Sequence, residues 1–116
     1  MATKDAVSDL IRGNIDAIIL CTLSSKDSYG YEILKAVATA SRGEYEMKEP
    51  SLYTSLKRLE KQGFVESYWG DETQGARRKY YHMTPAGLTE LVEATERWVR
   101  VRNIIDCLLQ QDGGER

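Results

Sequence analysis

A long helical pattern in the last third of the chain is the feature that most constrains the fold. Thr84 and Pro85 are typical of an N-cap followed by a first-position proline, and the apolar spacing then continues to about residue 110. A helix of more than about twenty residues extends over about 36 Å or more. Its apolar positions are Leu88, Leu91, Val92, Trp98, Val101, Ile105, Leu108 and Leu109.

The chain has 116 residues, which fits one domain and is too small to bury so long an apolar stripe by itself. We therefore expect a homodimer with two-fold symmetry, to which the first helix also contributes. Packing of the stripe wholly within one chain is the alternative. The predicted interface residues are Val7, Leu10, Ile11, Ile15, Leu91, Trp98, Ile105 and Leu108.

Three shorter helices and two strands precede this helix. A first amphipathic helix is predicted over residues 6–24, a second from a Ser28 cap to about Ser41, and a third from Pro50 to Gly63. Two runs rich in β-forming residues follow, over residues 64–69 and 78–83. They are predicted to form a hairpin around a loop over residues 70–75. The order predicts a mainly α fold with a small β-hairpin. Its parts are a winged helix-turn-helix over residues 1–83, a C-terminal dimerisation helix over residues 84–110 and a tail over residues 111–116.

Charge is distributed unevenly along the chain. The net charge is −2, yet residues 51–83 hold six Lys and Arg against four Asp and Glu. Local clusters of cations, rather than net charge, decide whether a phosphate backbone is attracted. The middle of the chain is therefore the candidate nucleic-acid-binding part.

The third helix carries the first cationic cluster on one face. Leu52, Leu56 and Leu59 face the core at helical spacing, and the opposite face suits entry into the DNA major groove. That face consists of Thr54, Lys57, Arg58 and Lys61, with Ser51 and Tyr53 at its flanks. A solvated helix face is the alternative interpretation.

The hairpin carries the second cluster, Arg77, Arg78 and Lys79. Alternation along a strand points Arg78 to one face and its two neighbours to the other, so the two faces could straddle a phosphate ridge. The third helix and this hairpin, the wing of the fold, together favour double-stranded DNA with a palindromic site as the partner. A winged-helix protein-interaction module without operator specificity is the alternative function.

Trp98 lies midway along the last helix among Arg97, Arg100 and Arg102. The pattern fits either an anchor in a dimer interface or an aromatic platform for a planar small molecule. Contacts to such a ligand are predicted for Trp98, Val101 and Arg102.

The sequence shows no catalytic constellation, and we expect neither an enzyme nor a cofactor or metal site. His82 is the single histidine, and it is predicted to be a strand-surface or packing residue. Cys21 and Cys107 lie on apolar helical positions and are expected to be buried structural thiols, with a redox switch as the alternative. The longest apolar run, residues 17–21, is too short to cross a membrane, and no secretory signal pattern begins the chain, so a cytoplasmic protein is expected.

Three ordered segments resemble the PadR family of bacterial transcriptional regulators, specifically its short members. They are SYGYEI over residues 28–33, PSLYTSLKRLEKQGFVESYWG over residues 50–70, and GARRKYYHMTPAG over residues 75–87. The resemblance implies a cytoplasmic winged-helix dimer that represses transcription. It implies DNA contacts from Tyr29, Ser51, Tyr53, Thr54, Lys57, Arg58, Arg77, Arg78 and Lys79.

The resemblance also bears on the effector. Short members similar to this chain can have a pore at the dimer centre, where a tryptophan matching Trp98 stacks against flat hydrophobic drugs and the regulated gene is often a multidrug exporter. Other members respond to phenolic acids, which the positive charge of Arg100 and Arg102 would suit.

Overall fold

The structure is a computed structural model that describes residues 4–70 and 77–110. In chain order its elements are α1 (Lys4–Ile11), a 3-10 turn (Arg12–Asn14), α2 (Ile15–Ser25), β1 (Ser28–Tyr29), α3 (Gly30–Ala40), α4 (Glu49–Lys61), β2 (Val65–Trp69), β3 (Lys79–Met83) and α5 (Pro85–Leu109). The strands form an antiparallel sheet in the order β1-β3-β2. The mainly α winged-helix fold with a long last helix is confirmed, whereas most of the predicted loop and the predicted tail, residues 71–76 and 111–116, lie outside the described residues.

The N-terminal apolar pattern folds into two helices rather than one. The 3-10 turn separates α1 from α2, so the prediction of one continuous helix over residues 6–24 is wrong. Gly13 lies in the break, and glycine disfavours a helix because it loses the most backbone freedom on folding.

Ser28 does not cap α3, contrary to the prediction. Ser28 and Tyr29 instead form the two-residue strand β1, which pairs with Tyr81 and Tyr80 of β3. The backbone N–H of Tyr29 donates to Oε1 of Glu32 over 3.4 Å at the start of the helix. Two residues are too few to show strand alternation, which is why sequence periodicity missed this third strand.

A buried hydroxyl joins the end of α4 to the start of α5. Gly63, at a φ of 83°, turns the chain out of α4 in a conformation that favours glycine. Thr84 Oγ1 donates to the carbonyl oxygen of Gly63 over 2.7 Å and accepts from the N–H of Gly87 over 3.0 Å. The predicted N-cap at Thr84 is therefore confirmed, and the same side chain bonds the start of α5 to the turn that follows α4.

The core lies between α2, α3, α4 and the inner face of the sheet. Leu52, Leu56 and Leu59 are each at most 1% exposed, as the helical spacing predicts. The full set of buried apolar residues is Ile19, Leu20, Leu23, Ile33, Val37, Tyr45, Met47, Leu52, Leu56, Leu59, Val65 and Tyr81. Burial on one side of α4 leaves its other side to solvent.

The helix α5 is only partly covered by its own chain. Leu91 packs against the core, but every residue from Arg100 to Gln110 is exposed. The exposed apolar side chains of α5 are Leu88, Val92, Trp98, Val101, Ile104, Ile105, Leu108 and Leu109. The alternative in which this stripe packs wholly within one chain is therefore wrong.

Both cysteines are exposed, so the expectation of buried thiols is wrong. Cys21 faces a groove between helices, and Cys107 lies on the uncovered part of α5. In the described residues, no helix is long and apolar enough to cross a membrane.

Candidate nucleic-acid interface and adjoining groove

The exposed face of α4 carries the predicted hydroxyl and cationic side chains. Thr54, Lys57 and Lys61 are exposed, and Ser51 is half-buried at one flank. Tyr53 is exposed on one side, while its hydroxyl packs so close to Gly30 of α3 that a side chain there would collide with it. The absence of a side chain at Gly30 thus lets α3 and α4 approach each other.

Arg58, predicted to contact DNA, is engaged within the chain. Its Nε donates to Oδ2 of Asp16 over 2.9 Å and its Nη2 to Oδ1 over 2.7 Å, so that α2 and α4 share a two-pronged ion pair. Nη2 also donates to Ser55 Oγ over 3.1 Å. The carboxylate of Asp16 raises the pKa of Arg58 because it stabilises the cation.

The wing cations lie on aromatic rings on opposite faces of the hairpin. The Arg78 guanidinium lies 4.8 Å from the ring centre of Tyr29, and that of Arg77 lies 5.3 Å from Trp69. Lys79 Nζ lies 6.0 Å from the ring centre of Tyr81. The alternation expected from strand geometry is therefore observed, and cation–π contacts hold the cations at defined positions.

A row of tyrosines follows the outer face of the sheet. Tyr80 stacks on Tyr68 with ring centres 5.7 Å apart and meets Tyr29 edge-on at 5.4 Å. At the end of this row, Asp27 accepts from the Tyr68 hydroxyl over 2.6 Å and lies 2.8 Å from Nδ1 of His82. His82 is thus an exposed strand residue with a carboxylate partner.

The carboxylate of Asp27 alters titration in this cluster. Its hydrogen bond with Tyr68 raises the pKa of the phenol to about 12, because the proton on the phenol is shared with a charged acceptor. The same hydrogen bond lowers the pKa of Asp27, with His82 acting in the same direction.

An apolar groove of about 1140 Å³ lies between α1, α2, α3 and α5. Among the predicted interface residues, those that line it are Leu10, Ile11, Leu91 and Trp98. Val7 and Ile15 are half-buried, and Ile105 and Leu108 are exposed further along α5. Of the predicted ligand contacts, Trp98 lines the groove, whereas Val101 and Arg102 lie beyond its lining residues.

Comparison with known proteins gives consistent matches over most of the chain. Residues 19–93 match the model of the transcriptional regulator PadR-like family. A curated relative, an uncharacterized protein from Lysinibacillus sphaericus, is 41% identical over 89% of this chain and 94% of its own length.

Solved structures agree with these matches. A transcriptional regulator from Clostridium thermocellum is 43% identical, with a TM-score of 0.80 over 85% of this chain and 96% of its own. A PadR family transcriptional regulator from Eggerthella lenta is 30% identical, with a TM-score of 0.82 over 93% of this chain and 92% of its own. The chain belongs to the PadR-like family of transcriptional regulators. It is therefore a DNA-binding regulator and not an enzyme.

The match to the PadR-like family begins within α2 and ends after the first third of α5. It spans every residue predicted to contact DNA, from Tyr29 to Lys79, and it ends before Trp98. Within the residues that the structure describes, no group of three or more His, Cys, Asp or Glu could hold a metal ion.

Sequence reasoning about this PadR-like chain left three residues near the interface unassigned. Asp16 and Asp27 meet partners 42 and 55 positions away, Arg58 and His82, and no local pattern signals such contacts. Trp69 did carry a signal, since it is a large aromatic side chain in the strand that leads into the cationic wing.

Proposed function

We propose that the protein is a homodimeric repressor whose affinity for DNA falls when a planar small molecule binds beside Trp98. The observation that carries the proposal is the uncovered apolar side of α5, which continues into the groove that Trp98 lines. In a protein this small, an exposed apolar surface of that length favours an interface or a ligand site.

The proposed dimer pairs the uncovered part of α5 with α1 and α5 of a second copy. Leu10 of α1 is 83% exposed and Leu109 of α5 is 80% exposed, so both ends of the stripe lack a cover in one chain. Burial of one such side chain contributes roughly 1.5–3 kcal/mol. The interface residues Val7, Leu10, Ile11, Ile15, Leu91, Trp98, Ile105 and Leu108 would share that burial.

The dimer is tested by sedimentation equilibrium of two matched variants. Ile105→Glu places a charge in the apolar stripe and is expected to give monomers at micromolar concentration. Asn103→Glu adds the same charge two residues earlier, at an exposed polar position, and is expected to leave the dimer intact. A monomeric wild type would overturn the proposal.

A two-fold dimer presents two copies of α4 and two wings to a palindromic site with half-sites about one turn of DNA apart. Thr54, Lys57 and Lys61 would face the major groove, with Ser51 and Tyr53 at the flanks. Arg77, Arg78, Lys79 and Tyr29 would reach the flanking phosphates. Arg58 would join these residues by exchanging Asp16 for a phosphate.

DNA binding is tested by fluorescence anisotropy with a duplex from immediately upstream of the gene and a scrambled duplex. We expect tight, salt-sensitive binding that prefers the native duplex. Replacing Arg77, Arg78 and Lys79 with Ala removes three cations per wing, and each lost phosphate contact reduces the slope of log K against log salt by about 0.9. An unchanged slope would favour the protein-interaction module instead.

The proposed effector is a planar hydrophobic or phenolic molecule. Trp98 supplies an aromatic face 42% exposed at the groove, next to the apolar side chains of Leu91 and Ala94. Arg97 is paired with Glu90 over 2.8 Å, whereas Arg100 and Arg102 are exposed and add positive charge nearby. This charge favours neutral or anionic ligands, with Val101 and Arg102 as further contacts. By its resemblance to short PadR members, the protein would control a multidrug efflux gene and its own gene.

Release from DNA would follow from a population shift. A ligand that binds one tilt of the paired α5 helices more tightly than another favours that tilt. Because Thr84 ties α5 to the end of α4, the spacing of the two recognition helices would change with the tilt.

The two tryptophans provide a matched test of the ligand site. Trp69 and Trp98 are the only tryptophans, so each Trp→Phe variant retains one fluorophore. A planar phenolic dye should quench Trp98 in the Trp69→Phe variant and leave Trp69 unquenched in the Trp98→Phe variant. Trp98→Ala should bind DNA without ligand response, and a retained response would overturn the pocket assignment.

A further inference from the structure

Asp27 connects the helix-turn-helix to both long strands of the wing. It lies between α2 and β1, and its two carboxylate oxygens engage Tyr68 of β2 and His82 of β3, at 2.6 and 2.8 Å. One carboxylate therefore fixes the hairpin to the segment that leads into α3.

The contact continues through aromatic rings to a wing cation. Tyr68 stacks on Tyr80, Tyr80 meets Tyr29 edge-on, and the guanidinium of Arg78 lies on the Tyr29 ring. A change in the Asp27 contact would therefore alter the surface on which Arg78 rests.

We propose that Asp27 is a positioning residue for the wing, and that protonation of His82 strengthens its contact and thereby increases DNA affinity. This inference rests on the proposed docking of the wing on DNA. A neutral imidazole gives Asp27 one hydrogen bond, whereas the imidazolium adds charge attraction across the same 2.8 Å. The wing geometry that places Arg78 on Tyr29 is then more strongly held.

Several charged groups lie around the contact between Asp27 and His82. Glu66 of β2 is its direct cross-strand partner, which adds a second carboxylate on the same face of the sheet. From α3, Glu32 pairs at 3.7 Å with Lys26, next to Asp27. Among the described residues, the other titratable side chains on this face are Tyr29 of β1, Tyr68 of β2, Tyr80 of β3 and Arg78, which precedes β3.

Because the chain has one histidine, its titration can be followed without ambiguity. Ordinary imidazoles titrate near pH 6.5. By linkage, if the DNA-bound wing holds the proton more tightly, DNA raises the midpoint of the His82 titration, and lower pH raises DNA affinity. A rise of about half to one pH unit corresponds to a roughly two- to fourfold gain in affinity per wing from pH 7.5 to pH 6.

The experiment follows the imidazole proton resonances of His82 by NMR with and without the upstream duplex, alongside anisotropy at pH 6.0 and 7.5. Wild type should show the higher midpoint in the complex and the tighter binding at pH 6.0. Asp27→Asn keeps a side chain of similar size and removes the charge that pairs with His82. We expect this variant to lose both effects.

Each outcome decides a separate point. If DNA still raises the midpoint of the His82 titration in the Asp27→Asn variant, the effect comes from the negative charge of the DNA phosphates, and the inference is overturned. If Asp27→Asn does not fold, His82→Gln, at an exposed position, must abolish the pH dependence of binding for the inference to stand. If the Ala variant of Arg77, Arg78 and Lys79 binds like wild type, the docking of the wing is overturned instead.

Discussion

The ion pair between Asp16 and Arg58 restrains a recognition-helix cation, and its removal should have opposite effects on stability and on DNA binding. The substitution Asp16→Asn keeps the side-chain size and removes the charge that holds the guanidinium. Arg58 would then be available to phosphate on the cationic face of α4.

The magnitudes follow from exposure and charge. The side chains are 49% and 34% exposed, so the pair is screened by water and stabilises the fold by about 0.5–1 kcal/mol. Its loss should lower the melting temperature by about 2–5 °C. One added phosphate contact steepens the slope of log K against log salt by about 0.9. The ratio of variant to wild-type affinity should then fall about threefold between 50 and 200 mM salt.

The assay combines thermal unfolding with anisotropy titrations at four salt concentrations. Glu90→Gln is the matched control, because it breaks an ion pair of similar length, with Arg97, on α5 rather than α4. It should change the net charge equally and leave the salt slope unaltered. Weaker binding by Asp16→Asn at an unchanged slope would refute the reasoning, since the pair would then position α4.

Three further predictions concern single contacts. Asp27→Asn should return the pKa of Tyr68 from about 12 towards its ordinary value near 10, as measured by tyrosinate absorbance. In the wild type, the stabilisation of the fold by this hydrogen bond is present below pH 10 and is lost as the pH rises to 12. Leu56→Ala should lower the free energy of unfolding in urea by about 2.5–4 kcal/mol, because Leu56 is 1% exposed in the core. Thr84→Ala should cost about 1–2 kcal/mol by the same measurement through loss of the cap, whereas Thr84→Ser should retain most of it.

The elements that local chemistry determines were predictable from the sequence. The spacing of Leu52, Leu56 and Leu59 fixes which side of α4 is buried, and hence which side carries Lys57. The start of α5 at Thr84 follows from a capping hydroxyl before proline. These features depend on residues within a few positions of each other.

The features that sequence reasoning missed depend on distant partners or on the lack of one. Arg58 has a helical neighbourhood typical of a DNA contact, but its partner Asp16 is brought near only by packing of α2 on α4. Cys107 occupies an apolar position of a helix, yet it is exposed, as is every other residue from Arg100 to Gln110. Helical periodicity identifies an apolar side but not what covers it.

The hydroxyl of Thr84 holds one end of α5, so that a rotation of the helix about this end moves its other end furthest. The helix has 25 residues and is about 37 Å long, while its fixed end is bonded directly to the turn that follows α4. A rotation of about 10° at this joint displaces the far end of α5 by about 6 Å. Conversely, a displacement of several ångströms near Leu109 corresponds to a rotation of only a few degrees at the joint with α4. A large movement at the far end of α5 would therefore change the orientation of α4 by a small angle.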